Sequence, residues 1–307
     1  MSRRIIVGSR GSRLALLQAE SVVARIKEVN PDIEVNIIKI VTTGDRSRRR
    51  LNSTGTAIFV KELEQALLEG RIDLAVHSLK DLPTELPPRL CLRAVTERLD
   101  PRDALVAKSK LSELAAGARI GTSSLRRTVQ LMGCRPDLQA RPIRGNIDTR
   151  LGKVLSGEFD GVIVAAAAML RLGWEDKITE YLSLEHFLPA VGQGALVVEA
   201  RVDDMDIAAL VSPLNNLTTW QGITAERAFM HALGGGCRAP VAALGTANGN
   251  KLRLEGMVAS ISGQKMLRAT EEGSAQSAEE IGARLAERMM GMGAAEIIAE
   301  ARKNEKG

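Results

Sequence analysis

The sequence is poor in the side chains that stack on bases, bind metals or form disulfides. Aromatic residues make up 2% of the 307 positions, and there are only three histidines and three cysteines. So few rings leave little surface for stacking, which argues against a single-stranded nucleic acid as the partner. Cys91, Cys134 and Cys237 have neither metal-ligand spacing nor the even number of a disulfide framework. We therefore expect no metal site, and a reducing compartment such as the cytoplasm.

Long apolar runs and nucleotide-binding fingerprints are missing as well. Met1–Gly8 contains arginines but no apolar run typical of a signal peptide, and no segment approaches the length of a membrane-spanning helix. No Walker loop or dinucleotide fingerprint occurs. The net charge of +5 is modest for 307 residues, and local arginine clusters explain it better than a general nucleic-acid face does. We expect a small-molecule ligand, with neither nucleic acid nor membrane as a partner.

Strands and helices alternate along the first two thirds of the chain, a pattern typical of parallel α/β units. Glu69–Asp73 matches Ser156–Asp160 without gaps. Each segment holds a helix end, a glycine and an aspartate before a strand, which indicates that the unit occurs twice. We expect two α/β lobes with a hinge, formed by residues 1–95 with 194–214 and by residues 96–193. Their ligand-binding cleft would lie at the carboxyl ends of the strands.

Helix boundaries can be predicted at several points. Apolar residues at helical spacing predict one amphipathic helix from about Ser12 to Asn30, which Pro31 ends. Asn146 is the predicted cap of a helix that ends near Gly157. These helices would each follow a strand of their unit.

The pattern changes after Pro213. Residues 218–233 read as a helix, and three later segments with glycine turns read as antiparallel strands. Ser277 and Glu280 have the spacing of a capping box for a further helix. We expect residues 215–307 to form a small α+β C-terminal domain.

Gly234–Pro240 presents a single cysteine on a loop that cannot continue a helix. Glycine frees the backbone and proline restricts it, so Cys237 is expected on a tight turn. The neighbouring Arg238 would favour the reactive thiolate. The alternative is a buried cysteine that packs as a small apolar residue.

Two strand-to-helix turns, Gly8–Ser12 and Gly121–Ser124, are rich in glycine and hydroxyl residues. Their backbone N–H groups and hydroxyls could bind an anion, or the hydroxyls could only cap the helices. Arginine suits carboxylates better than lysine does. Several separate carboxylates on one ligand explain the scattered arginines better than one phosphate. The arginines concerned are Arg10, Arg13, Arg126, Arg127, Arg144, Arg150 and Arg171.

Asp81 is the candidate acid or base. It follows a predicted buried strand, stands beside Lys80, and precedes a Leu-Pro pair that ends regular structure. A carboxylate at the carboxyl end of a strand is well placed for proton transfer. The alternative is an aspartate that only stabilises a turn.

Together these segments resemble the porphobilinogen deaminase (hydroxymethylbilane synthase) family along nearly the whole chain. The motifs that carry the resemblance are Ala75–Pro83, Asp100–Asp103, Gly121–Arg127, Arg144–Asn146, Leu188–Gly194, Ala225–Arg227 and Gly235–Cys237.

The resemblance implies a fold and a reaction. Two lobes like those of periplasmic binding proteins would be followed by the small third domain, in a cytoplasmic monomer. The enzyme would be a transferase of haem and other tetrapyrrole biosynthesis. It would join four porphobilinogen molecules head to tail with loss of ammonia and release hydroxymethylbilane by hydrolysis.

The resemblance also implies the site. Cys237 would hold a dipyrromethane cofactor through a thioether, and Asp81 would be the catalytic carboxylate. The other residues implied to hold the cofactor are Ser78, Lys80, Thr122, Ser123, Ser124, Arg126, Arg127, Arg144 and Gly145. The residues implied to bind substrate are Arg10, Ser12, Arg144, Arg150, Arg171 and Gln193.

One segment departs from the family pattern. Relatives commonly carry lysines in a mobile loop shortly before the Phe-Val-Lys-Glu-Leu helix, whereas Asn52–Thr56 contains none. We hypothesise that Arg48, Arg49 and Arg50 supply the positive charge instead. The alternative function for the whole chain is a two-lobed anion-binding solute receptor. A receptor of that kind would need a signal peptide and would not need the third domain.

Overall fold

The computed structural model describes residues 4–40, 60–234 and 239–303. Within these ranges no helix is both long enough and apolar enough to cross a membrane. The described strands are β1 (Arg4–Arg10), β2 (Glu34–Ile40), β3 (Leu74–Ser78), β4 (Leu90–Val95), β5 (Asp103–Ala107), β6 (Arg119–Gly121), β7 (Gln139–Arg141), β8 (Gly161–Ala165), β9 (Glu180–Tyr181), β10 (Leu196–Arg201), β11 (Val241–Asn248), β12 (Lys251–Ala259) and β13 (Met266–Ser274). The described α-helices are α1 (Arg13–Val29), α2 (Lys61–Leu68), α3 (Leu125–Cys134), α4 (Ile147–Leu155), α5 (Ala166–Arg171), α6 (Met205–Val211), α7 (Leu217–Ala232), α8 (Ala278–Met289) and α9 (Ala295–Lys303).

Several of the helices begin where a short polar side chain accepts a backbone N–H group. The Ser12 side chain accepts from the Ala15 N–H and starts α1, which buries an apolar face and ends at Asn30, as predicted. Asn146 caps α4 through the Thr149 N–H, and Gly157 follows with a φ of 75°, so this helix is confirmed as well. The caps fix where each helix starts relative to the strand before it.

Two five-stranded sheets have the same strand order. The first runs β2-β1-β3-β10-β4 and the second runs β7-β6-β8-β5-β9. In each sheet the first three strands are parallel and the fourth is antiparallel to both of its neighbours. The α/β class and the duplication are thus confirmed.

The parallel pairing expected from the alternating pattern is confirmed for the first three strands of each sheet, but one strand in each sheet runs the other way. The strands that run the other way are β10 and β5. Neither is reached through a crossover helix within its own sheet, so the rule that makes βαβ strands parallel does not apply to them.

The third sheet, β11-β12-β13, is antiparallel throughout, as predicted. Phe229 of α7 and Leu285 of α8 are fully buried in the core that this sheet forms with its helices. The predicted capping box was wrong, because the Ser277 side chain makes no capping bond. A 3-10 turn, Ala275–Ser277, precedes α8, and Ser274 caps that turn instead.

The chain divides into two compact units. One comprises Met1–Arg98 and Ala195–Gln221, and holds the first sheet. The other comprises Leu99–Gly194 and Gly222–Gly307, and holds both the second and the third sheet. The finer division into three domains stays a prediction.

Candidate active site

In the first unit, β3 ends at Ser78 and continues into a 3-10 turn, Leu79–Asp81. Leu79 is buried and its N–H donates to the Ala195 carbonyl at 3.1 Å. The Leu82 N–H closes the turn on the Leu79 carbonyl at 3.0 Å. The turn is therefore closed by its own bond and held at Leu79 by the Ala195 carbonyl, while Lys80 and Asp81 stay partly exposed. A carboxylate and an ammonium group are thus held on a fixed backbone and remain accessible.

Ser78 has a buried partner on α1. The Gln18 side-chain nitrogen lies 2.8 Å from the Ser78 hydroxyl oxygen, and Gln18 is buried. The preceding residue, His77, lies with its Nε2 3.0 Å from the Glu199 Oε2, and both side chains are buried. The carboxyl end of β3 is therefore bonded through Ser78 to α1 and through His77 to Glu199 of β10.

The first glycine- and hydroxyl-rich turn caps its helix. The Ser12 hydroxyl accepts the Ala15 N–H at 3.3 Å, and the buried Ser9 hydroxyl donates to the Ala15 carbonyl at 3.0 Å. Arg10 ends β1 with a half-buried side chain, and no atom lies within 4 Å of the Cβ position of Gly11. The Ser12 hydroxyl therefore caps α1, and the predicted ligand-binding roles of Ser12 and of Arg10, beside the open space at Gly11, stay predictions.

The hydroxyls of the second turn build the turn itself. Thr122 is buried and its hydroxyl accepts the Ser124 N–H at 3.2 Å. The Ser123 hydroxyl donates to the Ile143 carbonyl at 2.7 Å and accepts the Ile143 N–H at 3.1 Å. Ser124 caps α3 through the Arg127 N–H. These bonds tie the turn to the segment that leads to Arg144 and Gly145.

Arg126 and Arg127 are buried and bound to a carboxylate that the sequence did not single out as a site residue. Arg126 Nη1 lies 2.8 Å from Asp103 Oδ2, and Arg127 Nη2 lies 2.7 Å from Asp103 Oδ1. Asp103 is fully buried at the start of β5. Burial alone would raise the Asp103 pKa, but the two adjacent guanidinium groups outweigh it and hold that pKa far below its ordinary value.

Counting the N–H groups of Arg126 and Arg127 shows how many make no described hydrogen bond. Each guanidinium carries five N–H groups. Arg126 also donates to the Leu188 carbonyl and Arg127 to the Ile163 carbonyl. The described bonds use three N–H groups of each arginine, so each keeps two for another ligand. The sequence could not reveal Asp103 as their partner because the residues are more than twenty positions apart.

Gln193 lies on the same carboxylate. Its side-chain nitrogen is 2.8 Å from Asp103 Oδ1 and 2.8 Å from the Pro101 carbonyl, and the residue is 1% exposed. Flanking glycines, Gly192 with a φ of 75° and Gly194 with a φ of 96°, allow the loop to adopt this shape. Gln193 therefore bonds the carboxylate that the arginine cluster shares, and its predicted role in substrate binding stays a prediction.

Two further arginines of this unit are paired with backbone carbonyls rather than carboxylates. Arg171 Nη2 donates to the Gly194 carbonyl at 2.8 Å, and Arg150 Nε donates to the Gly145 carbonyl at 2.9 Å. Burial lowers the pKa of Arg171 to about 10, and burial together with the nearby Arg127 charge lowers the pKa of Arg150. Neither arginine forms an ion pair within the described ranges. Half-buried cations without a carboxylate partner fit a ligand that brings carboxylates of its own.

Arg144 and Gly145 form an exposed loop just before α4. Gly145 has a φ of 110°, and a Cβ there would lie 2.6 Å from the Thr149 Cγ2. Any other residue would be strained by both effects. The glycine thus lets the backbone turn so that its carbonyl meets Arg150.

Two sets of predicted residues lie outside the described ranges. These are Cys237 and the loop arginines Arg48, Arg49 and Arg50. The chain is described on both sides of the cysteine: α7 ends at Ala232, Gly234 has a φ of 98°, and β11 begins at Val241.

Two α/β sheets with the same strand order and an added antiparallel sheet define a protein with two α/β lobes and a further antiparallel sheet. The family model described as porphobilinogen deaminase, dipyromethane cofactor binding domain, matches residues 5–209. The model of the porphobilinogen deaminase C-terminal domain matches residues 220–291. The chain belongs to the porphobilinogen deaminase family, as its motifs predicted.

Named relatives are similar over nearly the full length. A porphobilinogen deaminase from Syntrophomonas wolfei is 45% identical, over 98% of this chain and 100% of its own. One from Carboxydothermus hydrogenoformans is 46% identical over 99% of both chains. The family consists of transferases of tetrapyrrole biosynthesis, and its first domain is named for the dipyrromethane cofactor.

Solved structures of periplasmic binding proteins are similar to this chain with low sequence identity and low TM-scores. The periplasmic aliphatic sulphonate binding protein SsuA from Escherichia coli has 12% identity and a TM-score of 0.39, over 76% of this chain and 71% of that chain. A TRAP periplasmic solute binding protein from Pseudomonas putida F1 has 11% identity and a TM-score of 0.41, over 75% of this chain and 81% of that chain.

Proposed function

We propose that this transferase joins four porphobilinogen molecules head to tail and then releases hydroxymethylbilane by hydrolysis. Each addition forms one carbon–carbon bond and expels one ammonia, and water cleaves the finished chain from the protein. Each pyrrole unit carries an acetate and a propionate group. The observation that carries the proposal is the pair of half-buried arginines, Arg150 and Arg171, that have no carboxylate partner within the described residues.

The residues that would hold the cofactor fit a ligand with several carboxylates. We propose that Cys237, in a C-terminal domain of residues 215–307, attaches the dipyrromethane through a thioether. When bound, the dipyrromethane supplies the pyrrole position to which the first substrate is added. Arg126 and Arg127 keep unused N–H groups beside Asp103, and Arg144 offers a further exposed guanidinium.

Asp81 is the proposed catalytic residue. Its carboxylate is half-buried on an anchored 3-10 turn, so its negative charge is held in place rather than free to move with solvent. A fixed negative charge stabilises the positive charge that develops on the substrate as ammonia leaves. Lys80, its neighbour on the turn, is placed to bind an acidic group of the same ligand.

The test is the stoichiometry of the reaction. Purified protein incubated with porphobilinogen should release four ammonia molecules for each hydroxymethylbilane formed, measured by enzymatic ammonia assay and chromatography of the product. Saturable binding of porphobilinogen without ammonia release would instead support the solute-receptor alternative.

We propose further that the chain works as a monomer in the cytoplasm, without a nucleic-acid or membrane partner. The free cysteines Cys91 and Cys134 suit a reducing compartment, and the low aromatic content and modest net charge favour a small ligand. Light scattering at assay concentration should give the mass of one chain, about 33 kDa.

A further inference from the structure

Glu226 is a fully buried carboxylate in the middle of α7. Its Oε2 accepts the Gly192 N–H at 2.7 Å, and its Oε1 accepts the Gly245 N–H at 2.8 Å. One side chain thus joins α7, the loop before β10 and the first strand of the third sheet. A buried charge is unfavourable unless hydrogen bonds compensate it, so a side chain needed only for packing would be apolar here.

The Gly192–Gly194 loop that Glu226 holds carries two contacts of the arginine site. Gln193 donates to Asp103, the carboxylate that binds Arg126 and Arg127. The Gly194 carbonyl is the described partner of Arg171. Glycine has no strong conformational preference of its own, so the positive φ values of Gly192 and Gly194 depend on the bonds made to the loop. The Leu99 N–H donates to the Gly194 carbonyl at 3.2 Å, and Glu226 holds the loop at Gly192.

The second oxygen of the Glu226 carboxylate, Oε1, bonds Gly245 at a place where α7 and β11 are closely packed. A Cβ built on Gly222 would lie 2.6 Å from the Gly245 carbonyl oxygen, so α7 and β11 approach each other backbone to backbone. Val191, just before the loop, packs against the same core. Glu226 therefore connects the loop to a part of the structure that has little room to move.

We propose that Glu226 is a positioning residue for substrate binding. By fixing Gly192, it sets the position of the Gly194 carbonyl and through it the Arg171 guanidinium, which binds a substrate carboxylate. This inference rests on the proposed function, since it assigns Arg171 to the carboxylates of porphobilinogen. Two of the groups that Glu226 bonds are the backbone N–H groups of Gly192 and Gly245, and the proposed effect on substrate binding passes through the loop.

The test is steady-state kinetics of Glu226→Gln with porphobilinogen. A glutamine can accept one of the two N–H groups but presents its own amide hydrogens to the other. We expect KM to rise about tenfold or more, as expected when a hydrogen bond to a charged group is lost, with kcat changed much less. In the double variant with Arg171→Gln the increases should not add, because both changes act on one contact. Intact mass should show normal cofactor loading.

Two controls separate positioning from general destabilisation. Phe229→Leu lies on the same helix and in the same core but does not bond the loop, so it should lower the Tm without raising KM. Gly192→Ala strains the loop from the other side and should raise KM as Glu226→Gln does. If Glu226→Gln does not fold, Gly192→Ala decides the question.

The inference is overturned if KM stays normal in Glu226→Gln or in Gly192→Ala. It is also overturned if Phe229→Leu raises KM as much as Glu226→Gln does, or if the KM increases of Glu226→Gln and Arg171→Gln add in the double variant. These outcomes all presuppose an active wild-type enzyme. A wild-type protein that releases no ammonia would reject the proposed function instead, so the two failures can be told apart.

Discussion

The carboxylates of Asp73 and Asp160 make the same bond in the two five-stranded sheets. Asp73 Oδ2 accepts the Ile6 N–H at 2.8 Å, and Asp160 Oδ2 accepts the Arg119 N–H at 2.7 Å. Each aspartate also donates its own N–H back to the same residue, at 2.8 Å and 2.9 Å. Asp73 therefore joins the start of β3 to β1, and Asp160 joins the start of β8 to β6. These bonds fix the register of the same strand pair in both sheets.

That register shows how the two halves differ. Val7 pairs with Leu74 as Ile120 pairs with Gly161, so Asp81 falls at the position of Ala168. The stretch with the proposed catalytic carboxylate is replaced in the second unit by four consecutive alanines, Ala165–Ala168. The two units thus share their strand order but differ after this strand, where Leu79–Asp81 forms a 3-10 turn and Ala166–Arg171 an α-helix. The proposed acid lies in one unit and the arginine cluster around Asp103 in the other.

Asp81→Asn should keep the fold and the cofactor but lose most turnover. The amide preserves the shape of the side chain and removes the negative charge, and loss of one catalytic group typically lowers kcat about 10²- to 10⁴-fold. Single-turnover ammonia release measures this. Glu20→Gln, an exposed carboxylate on α1, is the matched control and should be normal. A kcat for Asp81→Asn near the wild-type value would remove Asp81 from the chemistry.

Arg171→Gln should weaken substrate binding without destabilising the fold. Burial lowers the Arg171 pKa to about 10, below the ordinary value for arginine. The charge therefore opposes folding fully below pH 10, and this opposition decreases as the pH rises from 10 toward the higher pKa of the unfolded chain. Removing the charge should leave the Tm unchanged or raise it by about 2–4 °C. KM should rise about 10- to 100-fold, since a charge-assisted bond is lost. A lower Tm with an unchanged KM would mean that Arg171 is structural.

The same pKa predicts a pH dependence of affinity. Arg171 binds a carboxylate only while it is charged, so its contribution to the affinity for porphobilinogen should be constant below pH 10 and fall as the pH rises through about 10. Binding by calorimetry to Asp81→Asn, which turns over slowly, measures this without interference from the reaction. In Arg171→Gln the change near pH 10 should be absent, and its persistence there would assign it to another group.

Asp103→Asn should strongly destabilise the second unit. Asp103 is buried against two buried arginines, and removing one side of such a cluster costs about 3–5 kcal/mol because the remaining charges stay uncompensated. Because the folded-state pKa is lowered, the stabilisation is complete above the unfolded value near 4 and is lost only as the pH falls further toward the folded value.

The control for Asp103 is Asp100→Asn. Asp100 pairs with Arg102 near the surface, so its loss should cost about 0–1 kcal/mol. Urea unfolding at pH 7 compares the two variants. Equal losses would show that Asp103 is no more than an ordinary surface partner.

Gly121→Ala should destabilise the protein where β6 turns into α3. A Cβ there would lie 2.9 Å from Ile143 Cδ1 and 3.1 Å from Phe159 Cδ1, and overpacking of this kind costs about 1–3 kcal/mol. Gly152 lies in α4, and a Cβ built there would have no atom within 4 Å. Gly152→Ala should therefore stabilise the protein by about 0.5–1 kcal/mol. Thermal unfolding of both variants should give shifts of opposite sign. A neutral Gly121→Ala would mean that Ile143 and Phe159 move aside easily.

Much of the fold could be predicted because its signals are local. Ser12 and Asn146 cap their helices as their positions indicate, and the match between the segments before Asp73 and Asp160 revealed the duplication. The direction of β10 could not be predicted, because it depends on where the chain returns to the sheet. Ser277 has the spacing of a cap but follows a 3-10 turn that sequence spacing does not show.

The site could be predicted only in part, because only its local signals appear in the sequence. Motifs mark residue types, so Arg126 and Arg127 could be found, but not that Asp103 and Gln193 bind each other beside them. Glu226 was visible only as part of a motif, since two of its partners are glycine N–H groups with no side chain to recognise. Long-range bonds to backbone groups leave no pattern in one sequence.

The central claim is that Cys237 carries the growing chain on a covalent dipyrromethane. The most direct measurement is the intact mass of the purified, active protein beside Cys237→Ser, with Cys134→Ser as the matched cysteine control. The account predicts an excess of two pyrrole units on the wild-type protein and on Cys134→Ser, and none on an inactive Cys237→Ser. An active wild-type protein with the unmodified mass of its sequence, or a Cys237→Ser variant that still carries the excess, would contradict it.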